Sequence, residues 1–357
     1  MFEQYLDKFG NPNTPIGRVK LANVLPVNAT DDEIDFMSML GVQYVFTWLD
    51  SNLFNRRDEV RRLQDRLDKR GIRLTHVCDG DLAKNYNIIL GTERRDEYIE
   101  KFIRMLEAEK DLGLGIVVIT WEADKYQRSH NCYVRGGALS SMVNEKAMAN
   151  QPLTHGRVYE KEELWETFAY FMRQVLPNAK RNGVRIALHP NDPPMPMING
   201  IASLITSYED YKHAFEIGDG ISKDTLGMEF CCGCWLEGGE HFGDIPNAFK
   251  EFAADGRIMV THFRNISSPL PYFEERFIDD GYADMYKLME AIYQADYDGV
   301  LTLDHTPRMC NMQKTSQFQN TTEPGYGNYE PGRREAIAFA IGYIKALMTV
   351  ASRNVLQ

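Results

Sequence analysis

Residues 183–190 read GVRIALHP, a short apolar run bounded by a glycine and a proline. The glycine ends a long amphipathic segment, residues 161–183, whose last side chains are basic, as is common where a helix stops. The run that follows is almost continuously apolar up to His189, which is typical of a parallel strand covered on both faces. This stretch therefore predicts one helix followed by one buried strand, the repeating unit of an α/β protein.

The same unit recurs along the chain. Amphipathic charged segments such as residues 56–71 and 95–113 separate eight short apolar runs. Eight units are the number found in a TIM barrel, and no G-x-G-x-x-G follows an early run, which disfavours the competing doubly wound sheet. We predict an α/β fold, a (β/α)8 TIM barrel that forms a single domain over residues 1–357. The predicted strands are residues 18–26, 43–49, 72–78, 115–121, 183–190, 226–232, 257–265 and 299–305.

One connection between these units is much longer than the others. Residues 122–160 follow the fourth predicted strand. A connection of this length inside a compact domain is usually functional. Because the loops after barrel strands surround the active site of such folds, we expect residues 122–160 to form a capping and substrate loop over the barrel mouth.

The composition restricts the class of partner and the compartment. A hydrophobic content of 43% supports a packed core, whereas the net charge of −11 disfavours nucleic acids and anionic membranes, which reward a basic surface. The N-terminus is acidic where a signal peptide is apolar, and no apolar run reaches the length of about eighteen residues that a membrane span needs. The six cysteines form no regular framework. We expect a cytoplasmic protein with reduced thiols and no membrane or nucleic-acid partner.

The last four predicted strands all end in side chains that can bind a metal. Taken singly, each has an ordinary explanation, such as a satisfied polar histidine, a cysteine that fills an apolar core or an aspartate that caps a turn. Four such ends on consecutive strands whose carboxyl termini meet at one face of a barrel favour a converging metal site instead. The residues are His189, Cys231 with Cys232, His262, and Asp304 with His305.

The types of side chain narrow the choice of ion. Thiolate, imidazole and carboxylate together suit Mn²⁺, Fe²⁺, Co²⁺, Ni²⁺ or Zn²⁺ better than Mg²⁺ or Ca²⁺, which prefer oxygen ligands alone. The candidates are spread over about 115 residues, unlike the closely spaced ligands of a structural zinc site. Because a thiolate ligand must lose its proton, metal binding is expected to weaken as the pH falls.

Several segments around these residues resemble the signature segments of one enzyme family. In order and spacing they are similar to those of the mannonate dehydratases, metal-dependent TIM-barrel enzymes of hexuronate catabolism. The resemblance covers about residues 180–345, roughly half of the chain. The segments are VRIALHPNDPPMP, GMEFCCG, IMVTHFRN, DMYKLMEAI and TLDH followed by PGY.

The resemblance implies a metal, its ligands and an acid/base pair. The family's ligands for Mn²⁺ or Fe²⁺ fall on His189, Cys231, His262 and Asp304. Its acid/base pair falls on His305 and Tyr326. Because Gly233 aligns Cys231 with the cysteine of the family, Cys232 and Cys234 are not implied as ligands; Cys232 is expected to pack in the core.

Three further residues are predicted to bind the substrate. Arg264 and Asn265 follow His262 directly, and the planar fork of arginine suits a substrate carboxylate. A rim salt bridge is the alternative for Arg264. The third is Asn191, which stands where the family normally has aspartate.

The implied reaction suits these residue types. Dehydration of a 2,3-dihydroxy acid removes the proton α to the carboxylate and protonates the departing 3-hydroxyl. A metal can act as a Lewis acid on the acid's oxygens, a neutral histidine can serve as base near pH 7, and a tyrosine near the cation can serve as acid. We therefore expect a lyase that converts D-mannonate or a related aldonic acid into a 2-keto-3-deoxy sugar acid. The resemblance also implies a homo-oligomer.

The resemblance is poorer in the first half of the chain, which keeps two other functions open. The chain has FTWLDSNLF where the family has a histidine-rich segment, TWEADKYQRSHNCY where it has a proline- and tryptophan-bearing one, and Phe277 near the place of a family histidine. A sugar isomerase or epimerase of the xylose-isomerase-like barrels is one alternative, although those usually gather carboxylate-rich ligand sets. A non-catalytic sugar-acid-binding relative is the other, although such a protein has little need of an acid/base pair.

Overall fold

The centre of the fold is a parallel sheet of eight strands wound into a nearly closed barrel. The computed structural model describes residues 18–124, 127–149, 151–311 and 332–355. Its strands are β1 Lys20–Val24, β2 Tyr44–Leu49, β3 Arg73–Asp79, β4 Ile116–Thr120, β7 Arg185–His189, β10 Leu226–Cys231, β11 Ile258–Phe263 and β14 Val300–Leu303. They pair in the order β3-β2-β1-β14-β11-β10-β7-β4. Where the first and last strands of this order meet, the amide of Thr120 donates to the carbonyl of Ala83. All eight predicted strands and the predicted barrel fold are confirmed.

Helices cover the outside of the barrel. They are α1 Asp31–Met39, α2 Arg57–Asp68, α3 Tyr86–Ile89, α4 Arg95–Asp111, α5 Glu145–Met148, α6 Lys161–Asn182, α7 Tyr208–Ile221, α8 Cys232–Gly238, α9 Ile245–Ala254, α10 Met285–Gln294 and α11 Arg333–Val355. The predicted helices over residues 56–71, 95–113 and 161–183 correspond to α2, α4 and α6.

Local sequence signals begin and end the helices that frame the site. The side chains of Ser207 and Asp284 accept hydrogen bonds from the first turns of α7 and α10, which satisfies amide groups that have no partner within the helix. At the C-terminal end of α6, Gly183 adopts a φ of +68°, a left-handed conformation that a glycine reaches without strain. The helix therefore stops there, and the chain turns directly into β7.

The hydrophobic core has two layers, as expected for a barrel covered by helices. Between strands and helices, Phe102 of α4 meets Phe171 of α6 edge to face, with ring centroids 5.0 Å apart. The same layer contains Trp121, whose ring lies edge to face against Phe168 at 5.1 Å. A separate cluster fills the barrel interior and contains Ala22, Val24, Phe46, Cys78, Val118, Ala187, Met259, Val260 and Val300.

The strand order places the ends of four strands side by side. In β10 and β11, Cys231 lies opposite His262, which in turn lies opposite Thr302 of β14. His189 is the last residue of β7, the neighbour of β10 on the other side, and Asp304 directly follows β14. Because the strands are parallel, all four carboxyl ends reach the same mouth of the barrel.

The segment 122–160 is more regular than the expected capping loop. It contains an antiparallel hairpin formed by β5 His130–Val134 and β6 Ala138–Asn144. The hairpin joins three strands that the sequence did not predict, and together they form a sheet in the order β12-β13-β6-β15 with β5 on β6. The added strands are β12 Asn265–Ile266, β13 Tyr272–Arg276 and β15 Arg308–Asn311; two further short strands, β8 Met197–Ile198 and β9 Ile201–Ala202, pair with each other. We call the sheet of β5, β6, β12, β13 and β15 the cap sheet.

The strand prediction was one residue too long at the cysteine cluster. β10 ends at Cys231, and Cys232 is the first residue of α8 rather than the last of the strand. The reason is a local hydrogen bond, since the amide of Cys234 donates to the Cys231 sulfur at 3.4 Å and starts the helix. Cys232 is nevertheless buried in the hydrophobic core, as expected.

The last helix is apolar as well as long. By length and composition alone, α11 is the one helix among the described residues that could cross a membrane. Core helices of soluble proteins pass the same test, and α11 places eight buried residues against the protein. The side chain of Lys345 also donates to the carbonyl of Leu40 at 3.0 Å, which joins this helix to the end of α1.

Replacing Phe102 with alanine is expected to lower the free energy of unfolding by about 3–5 kcal/mol, because the ring has no solvent exposure and leaves a cavity against Phe171. Urea unfolding followed by tryptophan fluorescence measures the change. Met39→Ala is the matched control, since that side chain is 80% exposed and its loss should change stability by less than about 0.5 kcal/mol. Equal unfolding midpoints for the two variants would contradict this account of the core.

Candidate metal centre

Three of the predicted ligands lie together at the mouth of the barrel. The ligand atoms of Cys231, His262 and Asp304 are all within 4.8 Å of one another. Asp304 Oδ2 lies 3.5 Å from Cys231 Sγ and 3.6 Å from His262 Nδ1. These separations are close to those between neighbouring ligands of one ion, given metal–ligand bonds of about 2.0–2.3 Å.

The fourth predicted ligand, His189, borders the same group. Its ligand atom lies within 4.8 Å of the Cys231 and Cys234 sulfurs, and its ring centroid is 5.4 Å from that of His262. His189 Nδ1 is 2.6 Å from the carbonyl oxygen of Pro190. A carbonyl accepts only, so Nδ1 carries the proton and Nε2 keeps its lone pair for a ligand. The structure thus brings all four predicted ligands to one place.

Glu229 supports the site, although it was not among the residues predicted from the sequence. Its Oε1 lies 2.9 Å from Nε2 of His262, whereas Nδ1 of His262 is buried without a hydrogen-bond partner among the described residues. A carboxylate that holds one ring nitrogen while the other faces a metal is a common arrangement around metal-binding histidines. A signal was present in the sequence, because Glu229 stands two residues before Cys231 and therefore faces the same side of β10.

The charges of these groups agree with a cation site. Burial lowers the pKa of His262, but the negative charges of Glu229 and Asp304 outweigh it and raise that pKa well above its usual value. Burial likewise raises the pKa of the Cys231 thiol, and here a hydrogen bond with Cys234 and the charge of Arg264 outweigh it, so that this pKa falls well below its usual range. The pocket therefore favours a thiolate at Cys231, which is the form that binds metals.

Arg264 reaches the site but is occupied there by carboxylates of the protein. Its side chain has no solvent exposure; Nε lies 2.7 Å from Asp304 Oδ2, and the terminal nitrogen lies 2.7 Å from Glu237 and 3.3 Å from Asp192. The side chain packs over Gly233, where a Cβ atom would lie 2.2 Å from Arg264 Nε. The alternative of a rim salt bridge does not describe this residue either, because its guanidinium is buried and three buried carboxylates lie around it. Substrate binding by Arg264 stays a prediction, and these contacts do not favour it.

The two asparagines predicted to bind substrate are held by backbone groups. The Asn265 amide donates to the carbonyls of Ile278 and Ala283 at 3.3 and 3.0 Å. The Asn191 amide donates to the carbonyl of Trp121 at 3.3 Å, and its oxygen accepts from the amide of Ile205 at 2.8 Å. Both side chains are buried and fix loops beside the mouth. Their predicted role in binding substrate stays a prediction.

The predicted base lies next to the ligands. His305 Nε2 is 3.5 Å from Asp304 Oδ1, and its Nδ1 is 2.8 Å from Oε1 of Glu275. Glu275 in turn lies 2.7 Å from Arg128, which also contacts Asp192 at 2.7 Å. The predicted acid, Tyr326, lies outside the described residues.

The residues present fit a divalent metal ion. The donors are a thiolate, two imidazoles and a carboxylate, which is a set that suits Mn²⁺, Fe²⁺ or Zn²⁺. The buried Nδ1 of His262 has no hydrogen-bond partner in the part of the chain that the structure describes, and a bound ion would satisfy it. The support that orients each histidine, a carbonyl for His189 and a carboxylate for His262, is also in place.

Comparison with known proteins identifies the family. The family model described as D-mannonate dehydratase (UxuA) matches residues 141–354, more than half of the chain and a range that includes all four predicted ligands. The chain belongs to the D-mannonate dehydratase family. The expected family is thereby confirmed, and with it the expectation of an enzyme of the hydro-lyase class.

Individual members of the D-mannonate dehydratase family match over different lengths. A mannonate dehydratase of Lactococcus lactis subsp. cremoris is 29% identical over 201 residues, which cover 55% of this chain and 50% of that relative. One from Enterococcus faecalis is 24% identical over 340 residues, which cover 83% of this chain and 87% of the relative. In the first of these alignments the chain thus spans half of its relative's length, and in the second most of it.

Solved structures show the same fold. A mannonate dehydratase from Streptococcus suis serotype 2 superposes with a TM-score of 0.80 at 21% identity, over 96% of this chain and 95% of that one. A xylose isomerase domain protein from Planctomyces limnophilus superposes with a TM-score of 0.59 at 12% identity, over 94% and 99% of the two chains. At these identities the likeness is one of fold, and it confirms the barrel.

Cys231→Ser is expected to weaken Mn²⁺ or Fe²⁺ binding by at least about 10–100-fold, because a serine hydroxyl keeps its proton at neutral pH and is a poorer ligand than a thiolate. Calorimetric titration of the stripped protein with Mn²⁺ measures the loss. In the unchanged protein the thiolate is favoured above the lowered pKa of Cys231, so affinity should decrease as the pH falls through that pKa.

The matched control for this experiment is Cys132→Ser, which removes a half-buried thiol on β5 of the cap sheet. This control should bind Mn²⁺ as the unchanged protein does. Equal affinity of the Cys231 variant and the control would remove Cys231 from the ligand set.

Proposed function

We propose that this protein is a metal-dependent lyase that dehydrates D-mannonate, or a closely related aldonic acid, to a 2-keto-3-deoxy sugar acid. The observation that carries the proposal is the convergence of Cys231, His262 and Asp304 beside His305 in a chain of the D-mannonate dehydratase family. The names of the matched relatives suggest D-mannonate, and the changed first-half segments leave room for another aldonic acid.

The metal that we propose is Mn²⁺ or Fe²⁺, held by His189, Cys231, His262 and Asp304. When bound, such an ion would supply Lewis acidity at the oxygens of the substrate. Glu229 would keep His262 in the orientation that turns Nδ1 toward the ion, and the carbonyl of Pro190 would do the same for Nε2 of His189. Burial of these groups keeps water away and strengthens each electrostatic contact.

The proton transfers are assigned to two residues of the chain. His305 would accept the proton from the carbon α to the carboxylate through Nε2, since its Nδ1 faces Glu275. Tyr326 would protonate the 3-hydroxyl, a role that rests on the resemblance alone. The carbon–hydrogen bond and the carbon–oxygen bond both break, one water leaves, and the resulting enol converts to the 2-keto acid.

The two alternative functions receive less support. A sugar isomerase or epimerase is compatible with the fold, but the likeness to the xylose isomerase domain protein is one of fold only. The second carboxylate near the ligands, Glu229, is bonded to His262 and so does not convert the set into a carboxylate-rich one. A non-catalytic binding protein would not need His305 to be held beside the ligands. We further propose a cytoplasmic enzyme, in keeping with the composition of the chain, and a homo-oligomer, as the family resemblance implies.

Purified protein loaded with Mn²⁺ should form a 2-keto-3-deoxy acid from D-mannonate or from another member of a panel of aldonates. A colorimetric assay for 2-keto-3-deoxy acids measures the product. A chelator should abolish product formation, and added Mn²⁺ should restore it. Failure to turn over any aldonate would refute the proposed lyase, and conversion of a ketose to its epimer would instead support the isomerase alternative.

His305→Gln should lower kcat by about 10²–10⁴-fold, because it removes the group that accepts the α-proton. The metal content and the melting temperature should stay close to those of the unchanged protein. The matched control is His213→Gln, a half-exposed histidine of α7 that contacts Glu216 and Trp165 on the outer surface. Undiminished turnover by the His305 variant would show that another group is the base.

A further inference from the structure

A carboxylate from outside the barrel holds the predicted base. Glu275 lies on β13 of the cap sheet, and its Oε1 is 2.8 Å from Nδ1 of His305. The two residues are 30 positions apart, and whereas Glu275 belongs to the cap sheet, His305 lies just after barrel strand β14. Both side chains are largely buried, with 7% and 12% exposure. A contact of this length between buried groups is a strong hydrogen bond that solvent does not weaken.

Glu275 is itself fixed from two directions. The backbone carbonyl of Glu275 accepts a hydrogen bond from the Ser140 hydroxyl at 2.7 Å, and Glu275 lies opposite Ile266 in the antiparallel pair of β12 and β13. Its carboxylate also accepts from Arg128, which lies 2.7 Å away and is held on its other side by Asp192. The carboxylate therefore has little freedom to turn away from the histidine.

The protonation of Glu275 determines which way the hydrogen bond runs. Arg128 lies 2.7 Å from the same oxygen of Glu275, and a guanidinium paired with a carboxylate favours the ionised form of that carboxylate. An ionised carboxylate only accepts hydrogen bonds. The proton of the contact consequently sits on Nδ1 of His305, and Nε2 is the nitrogen on the side of Asp304.

We propose that Glu275 is a positioning residue for His305: it fixes the Nδ1–H tautomer and the ring orientation, so that the Nε2 lone pair faces the substrate. This inference rests on the proposed function, because it assigns the α-proton to Nε2 of His305. Without Glu275 the ring could turn about its Cβ–Cγ bond or carry its proton on Nε2, and either change removes the base from the reacting carbon. The end of a barrel strand provides the histidine, and the cap sheet provides the carboxylate that orients it.

The neighbouring residue supplies a matched control. Glu274 stands beside Glu275 on β13, and because successive side chains of a strand face opposite sides it points away from the base. Its carboxylate contacts Arg276 at 2.6 Å and the hydroxyl of Tyr272 at 2.8 Å. The same chemical change at these adjacent positions therefore separates the effect on His305 from the effect of removing a charge from the cap sheet.

Glu275→Gln and Glu274→Gln should be compared in the full-length, Mn²⁺-loaded enzyme. For Glu275→Gln, kcat should fall by about 10²-fold or more while KM changes by only a few-fold, because substrate contacts remain and the base is misoriented. Glu274→Gln should keep kcat within about twofold. A kcat for Glu275→Gln within twofold of the unchanged enzyme, or an equal loss in both variants, would overturn the proposal.

A second measurement does not depend on turnover. In metal-free protein with ¹⁵N-labelled histidine, the two-bond nitrogen–proton spectrum distinguishes the Nδ1–H from the Nε2–H tautomer, and His305→Gln identifies the signal. His305 should be in the Nδ1–H form in the unchanged protein and in Glu274→Gln, and should lose that preference in Glu275→Gln. If neither the unchanged protein nor the variants turn over any aldonate, the proposed function fails. The spectrum still decides, independently of turnover, whether Glu275 sets the tautomer of His305. An unaltered tautomer in Glu275→Gln would contradict the positioning role.

Discussion

A guanidinium with no solvent exposure joins the strand ends at the mouth of this barrel. Arg264 lies 2.7 Å from Asp304 and from Glu237, and it packs on Gly233, where no side chain intervenes. Burying an arginine costs several kcal/mol unless carboxylates pair with it, and removing one partner leaves an uncompensated charge. Removing Asp304 would therefore take away a predicted metal ligand and, at the same time, one of the two carboxylates that lie 2.7 Å from the buried guanidinium.

The same network extends from the metal ligands to the base. Asp192 contacts both Arg264 and Arg128, and Arg128 contacts the carboxylate that holds His305. A chain of buried ion pairs thus connects the mouth of the barrel to Glu275 of the cap sheet. Because these ion pairs link the ligands and the base through shared arginine and aspartate side chains, the ligands and the base have a common support, which suits a site that holds an ion beside a proton acceptor.

The roles of buried polar residues were harder to predict than the positions of the ligands. The ligands stand at the ends of apolar runs, where a barrel brings strand termini together, so their residue types and order were enough. Glu229 could have been found from its period-two spacing with Cys231. Arg264 was expected to meet a substrate because its position after His262 is visible in the sequence, whereas its three carboxylate partners lie up to 72 positions away. Nothing local shows which of the chain's many carboxylates a guanidinium will meet.

The sequence by itself determined the eight strands, the helices between them and the four side chains at the strand ends, because hydrophobic periodicity and helix-ending signals are local properties of a chain. Only the tertiary structure decided how those side chains are supported. The cap sheet pairs β13 with β6, and this pairing of distant segments brings Glu275 to His305. Such contacts depend on the register between segments far apart in the chain, which a pattern of neighbouring residues does not encode.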